Sequence, residues 1–489
     1  MATIVTADIT TLLDAITTGD EDGIIQATLR LLGPGKVPPA KIAARVGIPA
    51  AWAGGDGHPL SVLSVAGRVA EWMRSIPIGP EPGADERRML APALPLVQGF
   101  LAVADRVKQG LPEPHPVLPD ALVPADVKEH GGSLGAFRDA FAKRDLDRMR
   151  AVLMGYYATG ADYKTILSTL YATLESRYPQ DGHPLIFTVT GARVLDMADW
   201  GDRVPAYIYW VTPLLLDGAA NSPAGEAASA YAADSAHNLG WLRTRLSIPK
   251  EEAAGPAFQR ALVSGDFTTA CDAALKALRD GATPIGVAAG IALAAAEVIN
   301  AVPKGDRDGL THAAHALLYA NAVHTATKQT QDQEIWPLLY TAACVVNAAH
   351  QTAQAAALPA GTRGSASVPM GGLIAASMLR TFEAQLAAGD TDNALSVASR
   401  YLQMGHPSNA LAGMIGAVAA SRDVRADQPD SMHILPFVAA AAEEYLNLPA
   451  ALQAGGQNAL LGAAIRLAGE LTSGQRVADH VRAAINAMG

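Results

Sequence analysis

The sequence predicts an all-α protein made of four diverged tandem repeats of about four helices each, stacked into a curved α-solenoid or a toroid. Three observations predict it. Half of the 489 residues are apolar but only 5% are aromatic, and much of the apolar share is alanine, which loses no side-chain entropy on entering a helix. A capped helical hairpin recurs four times along the chain. A second helical signature recurs with the same period. A chain of this length also exceeds what one core normally supports, so several domains or an array are expected.

The repeats divide the chain at 1–130, 131–252, 253–372 and 373–489. In the first, LLDAITTGDEDGIIQATLRLLG reads as a helix that stops at Gly19, with Asp20 capping the next. A short acceptor side chain at that position takes one of the backbone N–H groups left over at a helix start. The second repeat carries FRDAFAKRDLDRMRAVLMGYY around Asp145. The third carries FQRALVSGDFTTACDAALKALRDG around Asp266, and the fourth FEAQLAAGDTDNALSVASRYLQMG around Asp390. The capping aspartates are 125, 121 and 124 residues apart. Helix-stop and helix-start chemistry in this order predicts an αα-hairpin.

About 40 residues further on comes the second signature. It reads GGDGHPLSVLSVAGRVAEWM at His58 and PQDGHPLIFTVTGARVLDMADW at His183. The third and fourth copies, DRDGLTHAAHALLYANAVH and QPDSMHILPFVAAAAEEYL, supply His312 and His433. Proline suits the first helical turn, where its missing N–H is not needed, so His58 and His183 stand at or beside an N-cap. Small residues follow about two turns on, at Ala66, Gly191, Ala320 and Ala440, and allow another helix to approach closely. Each repeat then closes with an apolar helix: Leu90–Ala104, Val204–Leu216, Ile335–His350 and Ala459–Leu471. Linkers are expected over Ile76–Arg87, Leu111–Gly135 and Ala357–Met370, which are rich in proline, glycine or serine.

Composition excludes several functions. A net charge of −10, a pI near 5.6 and the lack of any basic run argue against nucleic acid. Cys271 and Cys344 are too few for a disulfide framework or a thiolate metal site, and read as small core residues. The start of the chain lacks the basic and apolar regions of a signal peptide. Ala282–Val302 is apolar over the length of a membrane span, but it is mostly alanine and glycine and holds Glu297, which predicts a buried helix. A cytoplasmic protein without a membrane partner is expected.

Equivalent positions in a curved array point toward a common axis, so His58, His183, His312 and His433 could meet there. Converging imidazoles hold iron, zinc or copper, and these four are the candidate metal ligands, with iron or another histidine-bound metal as the cofactor. His315 lies one turn beyond His312 on the same helix face, and His324 follows. A histidine at a helix start can instead only cap its helix, and repeats of common descent would keep that period too. Arg68 and Arg193 each lie ten residues after a histidine, placed for an anionic ligand or, alternatively, for a carboxylate neighbour. The third and fourth repeats have Ala322 and Glu443 there.

The runs GHPLIFTVTGARVLDMADWGD and GDRDGLTHAAHALLYANAVH resemble the histidine-containing helical segments of the questin oxidase-like proteins. The resemblance spans roughly 183–205 and 305–329. It implies an oxidative, oxygenase-like enzyme, including Baeyer–Villiger-type chemistry, acting on a small aromatic or polyketide-like molecule. Carried over by residue, it implicates His183, His312 and His315 as catalytic. The reading from residues alone adds Arg68, Arg193 and His324 as ligand-binding groups in a histidine-lined central cavity. The alternative is a non-catalytic α-repeat scaffold that binds a protein or small ligand on its concave face.

Overall fold

A computed structural model describes residues 2–77, 89–108, 115–216, 220–245, 254–330, 332–356, 374–425, 431–472 and 474–488. Among these there is no strand, and the fold is all-helical. The linker expected over 357–370 and most of that over 76–87 lie outside the described residues.

The helices come in four successive runs. The first holds α1 (Ala2–Thr18), α2 (Glu21–Leu32), α3 (Pro39–Ala53), α4 (His58–Met73) and α5 (Ala93–Val107). A short α6 (Pro124–Glu129) leads into α7 (Ser133–Ala142), α8 (Leu146–Ala158), α9 (Tyr163–Thr173), α10 (His183–Ala198) and α11 (Val204–Leu216). After α12 (Pro223–Arg245) come α13 (Pro256–Val263), α14 (Phe267–Arg279), α15 (Pro284–Ala301), α16 (Arg307–Gln329) and α17 (Leu338–Ala356). The last run is α18 (Ala375–Ala387), α19 (Thr391–Gln403), α20 (Ser408–Ala419), α21 (Ser431–Leu446) and α22 (Ala450–Arg466), followed by α23 (Arg476–Met488).

Among the described residues each run has at least one helix more than the four expected. The extra one, α3, α9, α15 or α20, lies between the capped hairpin and the histidine-bearing helix. Only its third instance, the long apolar stretch of α15, stood out in the sequence. α15 is the one described helix long and apolar enough to cross a membrane, and 72% of that window is buried inside the protein. It packs against α16, α17 and α22, as a core helix does.

The hairpin turns follow the sequence chemistry. Asp20, Asp145, Asp266 and Asp390 each accept the backbone N–H three residues on, from Gly23, Arg148, Thr269 and Asn393, at 2.9–3.3 Å. The residue before each aspartate is left-handed, Gly19, Gly265 and Gly389 in three cases and Arg144 in the fourth. Cys271 and Cys344 are fully buried, with their sulfurs 3.3 Å apart.

Packing brings four helices from distant parts of the chain side by side. α4 touches α10, α10 touches α16, α16 touches α21, and α21 touches α4 again. The first and last runs are also joined. Buried Gln98 donates to the carbonyls of Ala419 and Arg422 at 3.2 and 3.0 Å, and Glu21 receives Arg425 and Arg476 at 2.8 and 2.7 Å.

Candidate metal centre

Three of the four central helices begin at one place. α4 starts at His58 and α10 at His183, each with proline in its first turn, and α21 starts at Ser431 with His433 two residues on. Close approach at this end depends on glycine. A Cβ on Gly57 would meet the Phe187 ring at 2.3 Å. Gly182, left-handed at φ 78°, would meet the Tyr319 ring at the same distance.

The imidazoles converge. His58 Nε2 lies 2.9 Å from His433 Nε2, and His183 Nε2 lies 3.1 Å from the same atom. One ligand nitrogen from each of the three falls within 4.8 Å of the others. The His183 and His433 rings stack at 5.1 Å, and His58 stands edge-on to both at 4.7 Å. Phe187 and Phe437 wall the cluster, with Phe187 5.0 Å from His58 and His183 and Phe437 5.5 Å from His433. These three rings contact one another across the bundle. The alternative, in which each ring caps its own helix, does not describe them.

Protonation favours ligation. Burial, reinforced by His58 and His315, pushes the His183 pKa down to about 3. Burial, with His315, His58 and His183, pushes that of His433 down to about 2. Both rings are therefore neutral at pH 7, the form that binds metal. Asp56 accepts from His58 Nδ1 at 2.5 Å, which turns the lone pair of His58 Nε2 toward its partners. A carboxylate behind a histidine orients and strengthens a ligand in this way. A tetrahedral ion about 2.0–2.1 Å from each nitrogen would space them by about 3.3 Å. Two of the observed separations, 2.9 and 3.1 Å, are close to that spacing, and all three lie within 4.8 Å.

The third run contributes His315, where His312 was expected. The His315 ring is 4.7 Å from His433 and 5.8 Å from His183. Its Nδ1 bonds the Thr311 carbonyl at 3.1 Å, and its Nε2 is buried without a partner. α16 starts at Arg307, eight residues before His315, so it extends past the other three helix starts by about two turns. Counting from the Asp-Gly turn therefore selects His312, one turn too early. His312 is half-buried on that projecting stretch.

With the register set on His315, a second layer lies ten residues beyond each histidine: Arg68, Arg193, Thr325 and Glu443. Ten helical residues span about 15 Å. Arg68 donates to Glu443 Oε2 at 2.5 Å. Arg193 donates to both Glu443 oxygens at 2.9 and 3.0 Å, and to Thr325. Burial opposes the ionisation of Glu443, yet Arg193 and Arg68 hold its pKa down to about 2. Of the two roles read for Arg68 and Arg193, an anionic ligand or a carboxylate neighbour, the structure shows the second: both meet Glu443, and this ion pair crosses the interior of the bundle. His324, also expected at a ligand, is 2% exposed and bonds Glu444 through Nδ1 at 2.8 Å. Its Nε2 is buried and unpartnered.

No protein family, characterised protein or solved structure matches this chain. The central geometry is thus the direct guide to function. The sequence reading named both His312 and His315 but set the third run's register on His312, and it offered the arginines a carboxylate neighbour without assigning Glu443 to them. The available signal was charge: Glu443 stands at the same offset from its histidine as Arg68 and Arg193 from theirs.

Proposed function

We propose that His58, His183 and His433 hold one first-row transition metal ion, iron or another metal that imidazole favours, and that the chain uses it in oxidative, oxygenase-like chemistry on a small molecule. One observation carries this reading: three imidazoles from three distant helices bring one ligand nitrogen each within 4.8 Å of the others. An all-imidazole donor set suits zinc, copper, iron and nickel. Three protein ligands leave a position for substrate or oxygen, as in catalytic rather than structural sites. When bound, the metal supplies Lewis acidity or electrons. The chain's own residues bind and orient it, with Asp56 fixing His58, Phe187 and Phe437 excluding water, and His315 and His312 offering polar atoms alongside. The aromatic or polyketide-like substrate and the Baeyer–Villiger option come from the family resemblance.

The architecture follows the same reading. Four diverged units place α4, α10, α16 and α21 around a pseudo-fourfold axis, with a histidine layer at one end and the Arg68–Arg193–Thr325–Glu443 layer about three turns below. The ion pair filling that interior speaks against an open apolar groove, and so against a passive scaffold.

Elemental analysis of the purified chain, with its absorption spectrum and oxygen consumption, tests the proposal. About one ion per chain is expected. His183→Ala should reduce metal to background while the helical circular dichroism is kept. A chain that stays metal-free after expression in metal-supplemented medium refutes the centre. A zinc-only chain that consumes no oxygen refutes the oxidative part.

A further inference from the structure

A second site lies away from the histidines, in a cleft of about 450 Å³ lined by Arg138, Phe141, Glu175, Ser176, Arg177 and Asn221 among others. Its arginines differ in how they are held. Arg138 is neutralised: it donates to the Ala172 carbonyl at 2.8 Å and to Glu175 at 3.1 Å. Arg177 is not. Its guanidinium lies over the Phe141 ring, 5.0 Å from the centroid, and among the described residues no carboxylate or carbonyl receives it. Burial, and then the neighbouring Arg144, push its pKa down, and no acidic group offsets them.

Arg144 is itself an oddity. It holds the left-handed position, φ 57°, that glycine fills before each of the other three capping aspartates. That backbone conformation disfavours a side chain. The Arg144 guanidinium is pinned at 2.8 Å to the carbonyl of Leu216, which brings no countercharge. Two like charges are thus held near each other by a ring and a carbonyl, Arg177 half-buried and Arg144 exposed. An anion beside them would be favoured by both.

We propose that this cleft binds a small molecule through an oxyanion group, a phosphate or a carboxylate, gripped by Arg177 with Arg144 beside it. The planar guanidinium presents a fork of donors that matches either group. The aromatic face under it holds the fork in place without taking up those donors. Ser176 and Asn221 supply polar edges to the same cleft. Glu175, already committed to Arg138, sets a limit on how much negative charge the cleft admits. The site depends on neither the metal nor the histidines.

Isothermal titration of the full chain with inorganic phosphate and with citrate, in low-chloride buffer, tests it. Saturable binding of at least one anion is expected, and which binds tighter tells a phosphate ester from a polycarboxylate. Arg177→Gln should weaken that binding about tenfold or more, the effect of losing a charge-assisted bidentate contact. Phe141→Leu should weaken it less. Arg45→Gln, on the exposed side of α3, should leave it unchanged. No saturable binding of either anion overturns the proposal. So does an Arg177→Gln variant that binds as well as the parent, or an Arg45→Gln variant weakened equally. Circular dichroism of each variant separates a lost contact from a lost fold.

Discussion

Asp56 decides which nitrogen of His58 faces the other two rings, so it is the most informative residue next to the cluster. Replacing it with asparagine keeps the shape and removes the charge that strengthens the ligand. We expect Asp56→Asn to lower metal affinity by 10–100-fold, measured by competition with a chromophoric chelator, with the melting temperature of the metal-free protein little changed. The depressed values of His183 and His433 make a second prediction. Below an unfolded value of about 6.5, the unfolded chain takes up protons that the folded rings refuse. The metal-free fold therefore loses stability as pH falls from about 6.5 toward about 3. One to two protons give a slope of about 1.4–2.7 kcal/mol per pH unit. Urea titrations at pH 7, 6 and 5 check it, and a flat profile would show that the rings are not buried neutral. His58, His183 and His433 were legible as a common site because two helical signatures shared one period. His315 was legible as a neighbour of that site but not as the equivalent of the other three, since α16 begins two turns early and nothing local marks that. Arg68 and Arg193 were legible as a pair, but their partner comes from a helix 250 or more residues away, and only its shared offset from a histidine marks it.

At the scale of elements, the sequence chemistry of the hairpins carried through closely. Glycine or Arg144 makes the left-handed turn, aspartate caps, and the next helix begins at the following residue. Asp20, Asp145 and Asp266 are exposed and similar, so these three should contribute alike, while Asp390 is half-buried. Asp266→Ala is expected to cost about 1 kcal/mol, within the 0.5–2 range for such caps, and to leave metal binding untouched. A melt showing no change would mean that solvent satisfies the start of α14 equally well. The closing helices α5, α11 and α17 lie over the apolar segments read for them, while α22 starts nine residues before the expected Ala459. The helix missed in each run was missed for a physical reason. α9 and α20 are 11 and 12 residues long and largely buried, and a short helix apolar on most sides gives no amphipathic stripe to read. α15 escaped only by its length, and its burial against three neighbours accounts for an apolar run that could otherwise pass for a membrane span.

At the scale of the whole molecule, the question is whether the units add up independently or close on themselves. In an open solenoid each repeat contacts only its neighbours, so removing the last leaves the others folded. Here the last run is also a neighbour of the first. α20 and α21 lie against α4, α23 lies against α2 and α5, and Val477 donates its N–H to Ser421 at 3.0 Å beside the Glu21–Arg425–Arg476 network. Removing residues 374–489 would expose the buried faces of α4 and α5, take His433 from the cluster, and leave Arg68 and Arg193 as buried cations without Glu443. An ion pair broken from one side costs about 3–5 kcal/mol by itself, a large part of the 5–15 kcal/mol that typically separates folded from unfolded. We therefore expect the 1–373 fragment to lose cooperative unfolding and to bind no metal, while the intact chain melts in a single transition that metal raises. Calorimetry of both chains decides it. A fragment that melts cooperatively near the parent's temperature would show that the units stack in a line, and that the contacts between the ends contribute little.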